Sequence, residues 1–564
     1  TISDLPAILH HSEKIITTEL AIKSNYLDVL ELTNTGKEGN KPVNEQIQNF
    51  RTKLALKCSA KALLESPNLP IGEFFIEDLY AKMKHYPHTL HDFHADVIID
   101  ERDFRIIDFK GEIDKSDFHF SGKLFNYDLW LKDKPLGDTK IEFALDSRLL
   151  QLEDLFAYGG ENYVPEDYRH EEFKKFRLHG FTNLHFNNGL QSADIYLDQL
   201  EANMKVHPLR FEKFAGRFHL ENQNLTIEKF TGKIGKSSFV ANMTYFLGAD
   251  EKSKKHKNSL TINSPQLDFD ELFNYNPPPV NPNTKTVNHE AGFNVFEIPF
   301  PDMDFQLNIK HLKYHRLHFD HFYSKFHSQK NHHLNIDTMS LHAAGGTMFI
   351  RGDLDGSNKK KLYLNPNIRL QNVDLDQLMF KFENFGQDHL VSEQLHGKLT
   401  GRLYGQIHLH ADLTPIIDDS EIHLDVEVAK GRLENYGPLL YLADFFKDKN
   451  LYKVLFDTLS NHIDITKGIM SVPKMLINSS LGFIELSGKQ DMDFNFEYYL
   501  RVPIKLITSE GMNKLFSKKS GEVSKDQVDE IATLDPSKKV KFVSIKMTGN
   551  PDNYKITLAK EKKK

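Results

Sequence analysis

Cysteine, long apolar runs and an excess of positive charge are scarce or missing in this chain of 564 residues. A single cysteine, Cys58, allows neither a disulfide framework nor a cysteine-based zinc site. No stretch of about 18 apolar residues occurs, so no part of the sequence is expected to cross a membrane as a helix. The net charge of −8 and the pI near 6.4 indicate no concentrated basic face, so nucleic acid is not expected as a partner.

The sequence also lacks the short motifs of catalytic and nucleotide-binding sites, namely GxSxG, HExxH, a Walker loop and GxGxxG after a strand. We therefore predict a protein that is not an enzyme and needs no cofactor. Histidine is abundant, and metal binding is one interpretation of its two clusters. However, a three-residue spacing on a strand points neighbours to opposite faces, and no cysteine or carboxylate accompanies the histidines at a recognised ligand spacing. We expect solvated strand faces and no metal site at His85, His88, His91, His94, His311, His315, His318, His321, His332 and His333.

Alternation of apolar and polar residues, broken by glycine and charged clusters, dominates the sequence and is typical of antiparallel strands joined by hairpins. One such stretch closes on LDFDELF (267–273), which indicates a strand running into a short helical turn. LQLEDLF (150–156), VDLDQLM (373–379) and, more loosely, LDVLELT (27–33) repeat this ending. The acidic pairs could be catalytic carboxylates, but their recurrence favours helix caps. Repetition of one unit indicates a stacked array.

The predicted fold is mainly β: an elongated, curved antiparallel repeat sheet that forms an apolar groove, with a few amphipathic helices. Four repeats are predicted. They are 1–135 with a helix over 44–65, 136–258, 259–366 with a proline-rich loop over 276–301, and 367–564 with helices over 437–460 and a final hairpin over 540–558. The helix over 44–65 is inferred from the helical spacing of Ile47, Phe50, Leu54 and Cys58.

So few helices cannot cover roughly 25 strands, so an apolar sheet face is expected to stay uncovered and to offer a site for a partner, a membrane or a ligand. Closed sandwiches with ordinary cores are the alternative. The clearest alternating strands lie between residues 399 and 506. The residues predicted to line an apolar groove there are Leu399, Leu403, Ile407, Leu409, Ile422, Leu424, Val426, Val428, Phe494, Phe496, Tyr498, Leu500 and Val502.

Three features of the sequence resemble the AsmA-like family of Gram-negative envelope proteins. They are the strand–LDFDELF units, the meander over 300–356 with its AAGG turn, and the block over 431–504, where ITKGIM is followed by LSGKQDMDFNFEYYLRV. The family's N-terminal membrane helix is not found in this sequence, and the insertion over 509–538 has no counterpart in the family. Because the chain begins with Thr1 inside strand-like sequence, we expect a fragment or processed form with any anchor upstream.

The resemblance implies a periplasmic protein, anchored to the inner membrane, that conducts phospholipid between the inner and outer membranes and supports the integrity of the outer membrane. Its partners would be phospholipid acyl chains, the two membranes and other envelope proteins. Two alternatives stay open: a scaffold or assembly subunit of a large envelope complex that binds protein on the same face, and a metal-dependent enzyme that uses the histidine clusters.

Overall fold

The computed structural model describes residues 1–30, 45–65, 70–132, 134–155, 157–158, 161–162, 170–205, 209–248, 251–272, 294–297, 300–314, 317–381, 392–440, 449–507, 529–534, 539–550 and 553–559. The chain divides into two units, Thr1–Asn276 and Pro277–Lys564. In both units, strands that follow one another along the chain pair antiparallel as a meander. This confirms the mainly β, antiparallel fold class.

The sheet of the first unit follows chain order, except that β7 pairs directly with β10. The strands β8 (Ala157–Tyr158) and β9 (Glu161–Asn162) form a separate small hairpin. The strands of the sheet are β1 (Ile15–Asp28), β2 (Gln46–Ser59), β3 (Gly72–Met83), β4 (Thr89–Ile99), β5 (Phe104–Ile113), β6 (Ser116–Leu124), β7 (Leu136–Gln151), β10 (Glu172–Asn187), β11 (Leu190–Met204), β12 (Arg210–Glu221), β13 (Asn224–Ile234), β14 (Ser237–Phe246) and β15 (Ser259–Asp268).

The sheet of the second unit follows chain order throughout, and it ends in the paired strands β27 and β28, within the span predicted for a final hairpin. Its strands are β16 (Met303–Tyr314), β17 (Leu317–Gln329), β18 (His333–Ala343), β19 (Gly346–Asn358), β20 (Lys361–Asp374), β21 (Leu395–Leu409), β22 (Pro415–Glu434), β23 (Lys453–Thr466), β24 (Ile469–Ser479), β25 (Gly482–Asp491), β26 (Phe496–Pro503), β27 (Phe542–Gly549) and β28 (Tyr554–Leu558). The predicted repeat boundary at 366/367 falls inside β20.

The α-helices of the described residues are short, with four to seven residues each. They are α1 (Leu5–Leu9), α2 (Ala60–Glu65), α3 (Leu152–Leu155), α4 (Phe269–Leu272), α5 (Leu375–Lys381) and α6 (Gly437–Leu440). The 3-10 turns are Tyr127–Leu131, Glu251–Ser253, Val295–Glu297 and Ile504–Leu506.

The recurring LDFDELF-like ending forms a strand followed at once by a helix. Thus β7 leads into α3, β15 into α4 and β20 into α5, as the sequence predicted. Asp268 is buried, and its Oδ1 accepts a hydrogen bond from the backbone N–H of Glu271 at 3.2 Å. This carboxylate therefore satisfies a donor in the first turn of α4, in the manner of a helix cap.

The prediction of a helix over 44–65 is wrong, because β2 occupies Gln46–Ser59 and only Ala60–Glu65 is helical. A spacing of four residues, as between Phe50 and Leu54, places side chains on one face of a strand as well as of a helix. The three-residue spacing from Ile47 to Phe50 arises from a β-bulge: Asn49 has a positive φ of 54°, and the register with β3 shifts between Gln48 and Arg51.

The same bulge recurs along the chain. In each case a residue other than glycine, with φ between 47° and 56°, coincides with a shift in strand register, and an extra residue separates two side chains that share a face. These residues are Asn49, Asp92, Lys175, Lys213, Lys229, His321, Asn372 and Lys430.

The prediction of helices over 437–460 is correct only for α6, while residues 441–448 lie outside the described part. From Lys453 onward the chain is β23. Phe456 lies opposite Gly431 of β22, where a Cβ atom would come within 1.8 Å of the Phe456 ring. Glycine thus leaves room for the ring across the strand pair, a contact between strands that is invisible in the local pattern.

Candidate functional site

The apolar face of the second unit forms a partly open cavity of about 560 Å³. Strands β23 to β26 form most of it, and side chains from β21, β22, α6 and β27 complete it. Its aliphatic, methionine and aromatic lining consists of Leu395, Leu433, Leu439, Val454, Phe456, Leu459, Met470, Met475, Ile477, Leu481, Ile484, Leu486, Phe494, Phe496, Leu500 and Met547. The polar members of the lining are Tyr436, Ser479, Gln490 and Tyr498. Ligand pockets typically have volumes of about 300–1,000 Å³ and a similar, mostly apolar lining.

Four of the predicted groove residues line this cavity: Phe494, Phe496, Tyr498 and Leu500. Three of them alternate along β26 and therefore share one face. Phe494 precedes the strand, in a turn where its φ is 61°. The alternation that identified these residues begins two residues before the strand does.

The other predicted groove residues lie on the same apolar side of β21, β22 and β26 but outside the cavity. Leu399 and Val428 are buried in a cluster with Leu375, Leu378 and Met379 of α5, so this helix covers part of the sheet face. Leu409 is buried against Val295 in a second cluster. Val502 is fully buried and offers no surface to a ligand. Ile422 is also buried, and Leu403, Ile407, Leu424 and Val426 are half-buried.

Strand register explains why these residues share a face. Leu403 lies opposite Ile368 of β20 on one side and Leu424 of β22 on the other. The alternate residues belong to the opposite, polar face, where Arg402 lies opposite Asp425. The apolar and polar faces predicted from alternation are therefore the faces of the sheet.

Two tyrosines bring hydroxyl groups to the apolar cavity. Burial, together with the neighbouring Tyr436, raises the pKa of Tyr498 to about 12, and its hydroxyl donates to Oε1 of Gln490 at 2.9 Å. Burial also raises the pKa of Tyr436. Both phenols thus stay neutral at physiological pH, so the cavity offers hydrogen-bonding groups without charge. Such a site can hold a long apolar chain with a weakly polar group beside it.

Sequence reasoning missed the side of the cavity formed by β23 to β25. Val454 and Phe456 were assigned to a helix, and Leu481 and Ile484 were included only in the block over 431–504 that resembles the AsmA-like family. The alternation of Ile484 and Leu486 in GFIELSGK was a usable signal. Which strands would meet across the cavity depends on strand pairing, which the pattern of one segment does not contain.

The predicted histidine clusters show more varied environments than solvated strand faces. His88 is buried, and its Nδ1 lies 2.6 Å from Oδ2 of Asp114. The expectation of a solvated face is therefore wrong for His88. His91 lies near Asp92 and Glu112, while His315 is outside the described residues.

No protein-family model, curated protein or solved structure matches this chain. Membership of the AsmA-like family therefore remains a prediction from the sequence. Within the described residues, none of the helices has the length and apolar character needed to cross a bilayer.

Proposed function

We propose that this protein is a non-enzymatic lipid-transfer protein of the periplasm, which carries phospholipid between the inner and outer membranes by binding acyl chains on the apolar face of its sheets. The observation that supports this proposal best is the cavity of about 560 Å³ between β21 and β27, with its aliphatic and aromatic lining. The sequence resemblance to the AsmA-like family supports the location and the membrane partners.

The energetic need for such a cavity follows from the hydrophobic effect. Exposing each CH₂ group of a lipid to water costs about 0.8 kcal/mol, so a 16-carbon chain costs roughly 13 kcal/mol. A protein surface that covers most of those groups removes most of this barrier to transfer, while the headgroup remains in water. Neutral tyrosines suit this role, because a buried charge beside the chain would carry its own desolvation cost.

The direct test is mass spectrometry of lipid extracted from the purified full chain, combined with binding of a fluorescent acyl-chain probe. Co-purified phospholipid that the probe displaces would support the proposal. Absence of phospholipid after gentle extraction, together with no probe binding, would overturn it. A stoichiometric protein on the same face, with no lipid, would select the scaffold function instead.

Neighbouring residues of β24 provide a matched pair of variants. Met475 lines the cavity, whereas Leu476 is 42% exposed on the other face of the same strand. Met475→Asp should weaken probe binding, since a carboxylate would replace contacts with roughly three CH₂ groups, equivalent to about 2.4 kcal/mol or roughly 60-fold. Leu476→Asp should bind the probe like the unmodified protein. Equal binding by both variants would argue against the cavity as the lipid site.

A further inference from the structure

Two histidines and an aspartate meet on the polar face of the second unit, away from the cavity. His423 of β22 lies directly opposite Asp464 of β23, and Asp425 lies opposite His462. Residues two apart on a strand share a face, so the four side chains form a block across the strand pair. Neither histidine belongs to the clusters that are visible in the sequence.

The ring nitrogens of both histidines converge on one carboxylate oxygen. Oδ1 of Asp464 lies 2.6 Å from Nδ1 of His423 and 3.1 Å from Nε2 of His462. The three potential ligand atoms all lie within 4.8 Å of one another. The side chains of His423, His462 and Asp464 are 27%, 43% and 37% exposed, so an ion can reach them from solvent.

We propose that His423, His462 and Asp464 bind a divalent transition-metal ion, with Zn²⁺ as the representative ion. Two imidazole nitrogens and one carboxylate oxygen form a donor set that Zn²⁺ and neighbouring metals favour. Metal–ligand bonds of about 2.0–2.2 Å in a tetrahedral site place donor atoms roughly 3.4 Å apart. The measured contacts to Asp464 are shorter than this by less than 1 Å, so small side-chain rotations would admit the ion.

Each histidine has a second carboxylate on its other ring nitrogen. Nδ1 of His462 lies 2.6 Å from Oδ1 of Asp425, and Nε2 of His423 lies 3.4 Å from Oε1 of Glu421. Metal-binding histidines commonly have such an outer carboxylate, which fixes the ring orientation and increases the basicity of the ligating nitrogen. These two outer carboxylates, Asp425 and Glu421, support the metal site independently of the clustering of the three ligand atoms.

The other cluster with metal-ligand spacing in the described residues is weaker. It combines His91 with Asp92 and Glu112, and therefore supplies one imidazole. The His423 site is thus the stronger candidate for a transition metal.

Three protein ligands leave at least one coordination position for water or an anion, as in open zinc sites. Because the ligands come from two adjacent strands, a bound ion would also link β22 to β23. An ion that binds the folded chain and not the unfolded chain stabilises the folded state by mass action. The site is independent of the lipid cavity, so failure of one proposal leaves the other intact.

The test is titration of the chelator-treated full chain with Zn²⁺ against a competing fluorescent chelator, with thermal unfolding as a second measurement. The protein should bind Zn²⁺ with a raised melting temperature, and a His423→Gln/His462→Gln variant should lose one equivalent and the thermal shift. His311→Gln is the matched control, because His311 forms a similar exposed pair with Asp320 at 2.7 Å. This control should bind like the unmodified protein.

Asp425→Asn is a second test that does not depend on the double variant folding, since it leaves the three ligands in place. It should weaken Zn²⁺ binding by about 10–100-fold, as loss of an outer partner does in known sites. The proposal is overturned if the double variant retains the full zinc stoichiometry and affinity. Should the double variant not fold, unchanged zinc affinity in Asp425→Asn would overturn the proposal.

Discussion

Glu45 should be among the most sensitive single residues of the first unit. The residue is 1% exposed, directly before β2, and its carboxylate accepts hydrogen bonds from four backbone N–H groups. Oε1 accepts from Gln46 at 2.8 Å, Lys84 at 3.0 Å and His85 at 2.9 Å, while Oε2 accepts from Tyr86 at 3.2 Å. One carboxylate therefore accepts hydrogen bonds from three successive backbone N–H groups of the turn that follows β3.

The substitution Glu45→Gln isolates the effect of one oxygen. The amide oxygen can keep the three bonds made by Oε1, but the NH₂ group then faces the N–H of Tyr86. A buried donor without its acceptor costs about 1–3 kcal/mol, and the remaining bonds lose their charge assistance. We expect a loss of roughly 2–4 kcal/mol in the free energy of unfolding of this region. Glu45→Ala should cost more, because all four N–H groups lose the carboxylate, although that of Lys84 also donates to the backbone carbonyl of Gln46 at 2.9 Å.

Amide hydrogen exchange at Lys84 to Tyr86, together with urea unfolding, provides the assay. Glu73→Gln is the control, since Glu73 forms an exposed ion pair with Lys57 at 3.1 Å. Such a pair contributes less than about 1 kcal/mol. A Glu45→Gln protein within about 0.5 kcal/mol of the unmodified chain, with unchanged exchange at Lys84 to Tyr86, would refute this reasoning.

The pH dependence has a definite sign. Burial alone would raise the pKa of Glu45, but the hydrogen bonds from His85, Gln46, Lys84 and Tyr86 outweigh it and hold the pKa below its usual value of 4.5. Stability from this carboxylate is therefore complete above the unfolded pKa and is lost as pH falls through the depressed folded pKa. The difference in the free energy of unfolding between the unmodified protein and Glu45→Gln should be constant from pH 6 to 8 and should shrink below about pH 4.5.

Two further predictions concern the second unit. Gly431→Ala should destabilise the protein by about 1–3 kcal/mol in thermal unfolding, because the new Cβ would overlap the Phe456 ring. Gly189→Ala is the control and should be nearly neutral, because no atom lies within 4 Å of the added Cβ. Since Tyr498 has a pKa raised to about 12, its contribution is present below its unfolded pKa near 10 and is lost as pH rises through 12. Tyr498→Phe should therefore reduce the loss of stability between pH 10 and 12, and an unchanged alkaline profile would contradict this assignment.

The alternation of residues was sufficient to predict the sheets, because a one-sided antiparallel strand must place its apolar residues at every second position. It also placed Phe496, Tyr498 and Leu500 on one face of β26, where they line the cavity. The strand-to-helix endings such as LDFDELF could also be predicted from the sequence, since a capping acidic residue at a strand end is a local signal.

What failed were features that depend on pairing between strands. A bulge at Asn49 gave Ile47 and Phe50 the spacing of a helix, and a positive φ in a residue other than glycine has only a weak sequence signature. His423 and His462 are far apart in the chain, and only the register of β22 with β23 brings them together. The proposed metal site could not be found without that register.

The recurring bulges also make these strands sensitive to changes in length. In β2, residue Asn49 is the extra residue that keeps Ile47 and Phe50 on the same side of the sheet. If that one residue were deleted, every side chain before it would swap sides relative to those after it. Loss of a single codon there would thus move Ile47, the apolar residue of the strand before the bulge, to the opposite face of the sheet.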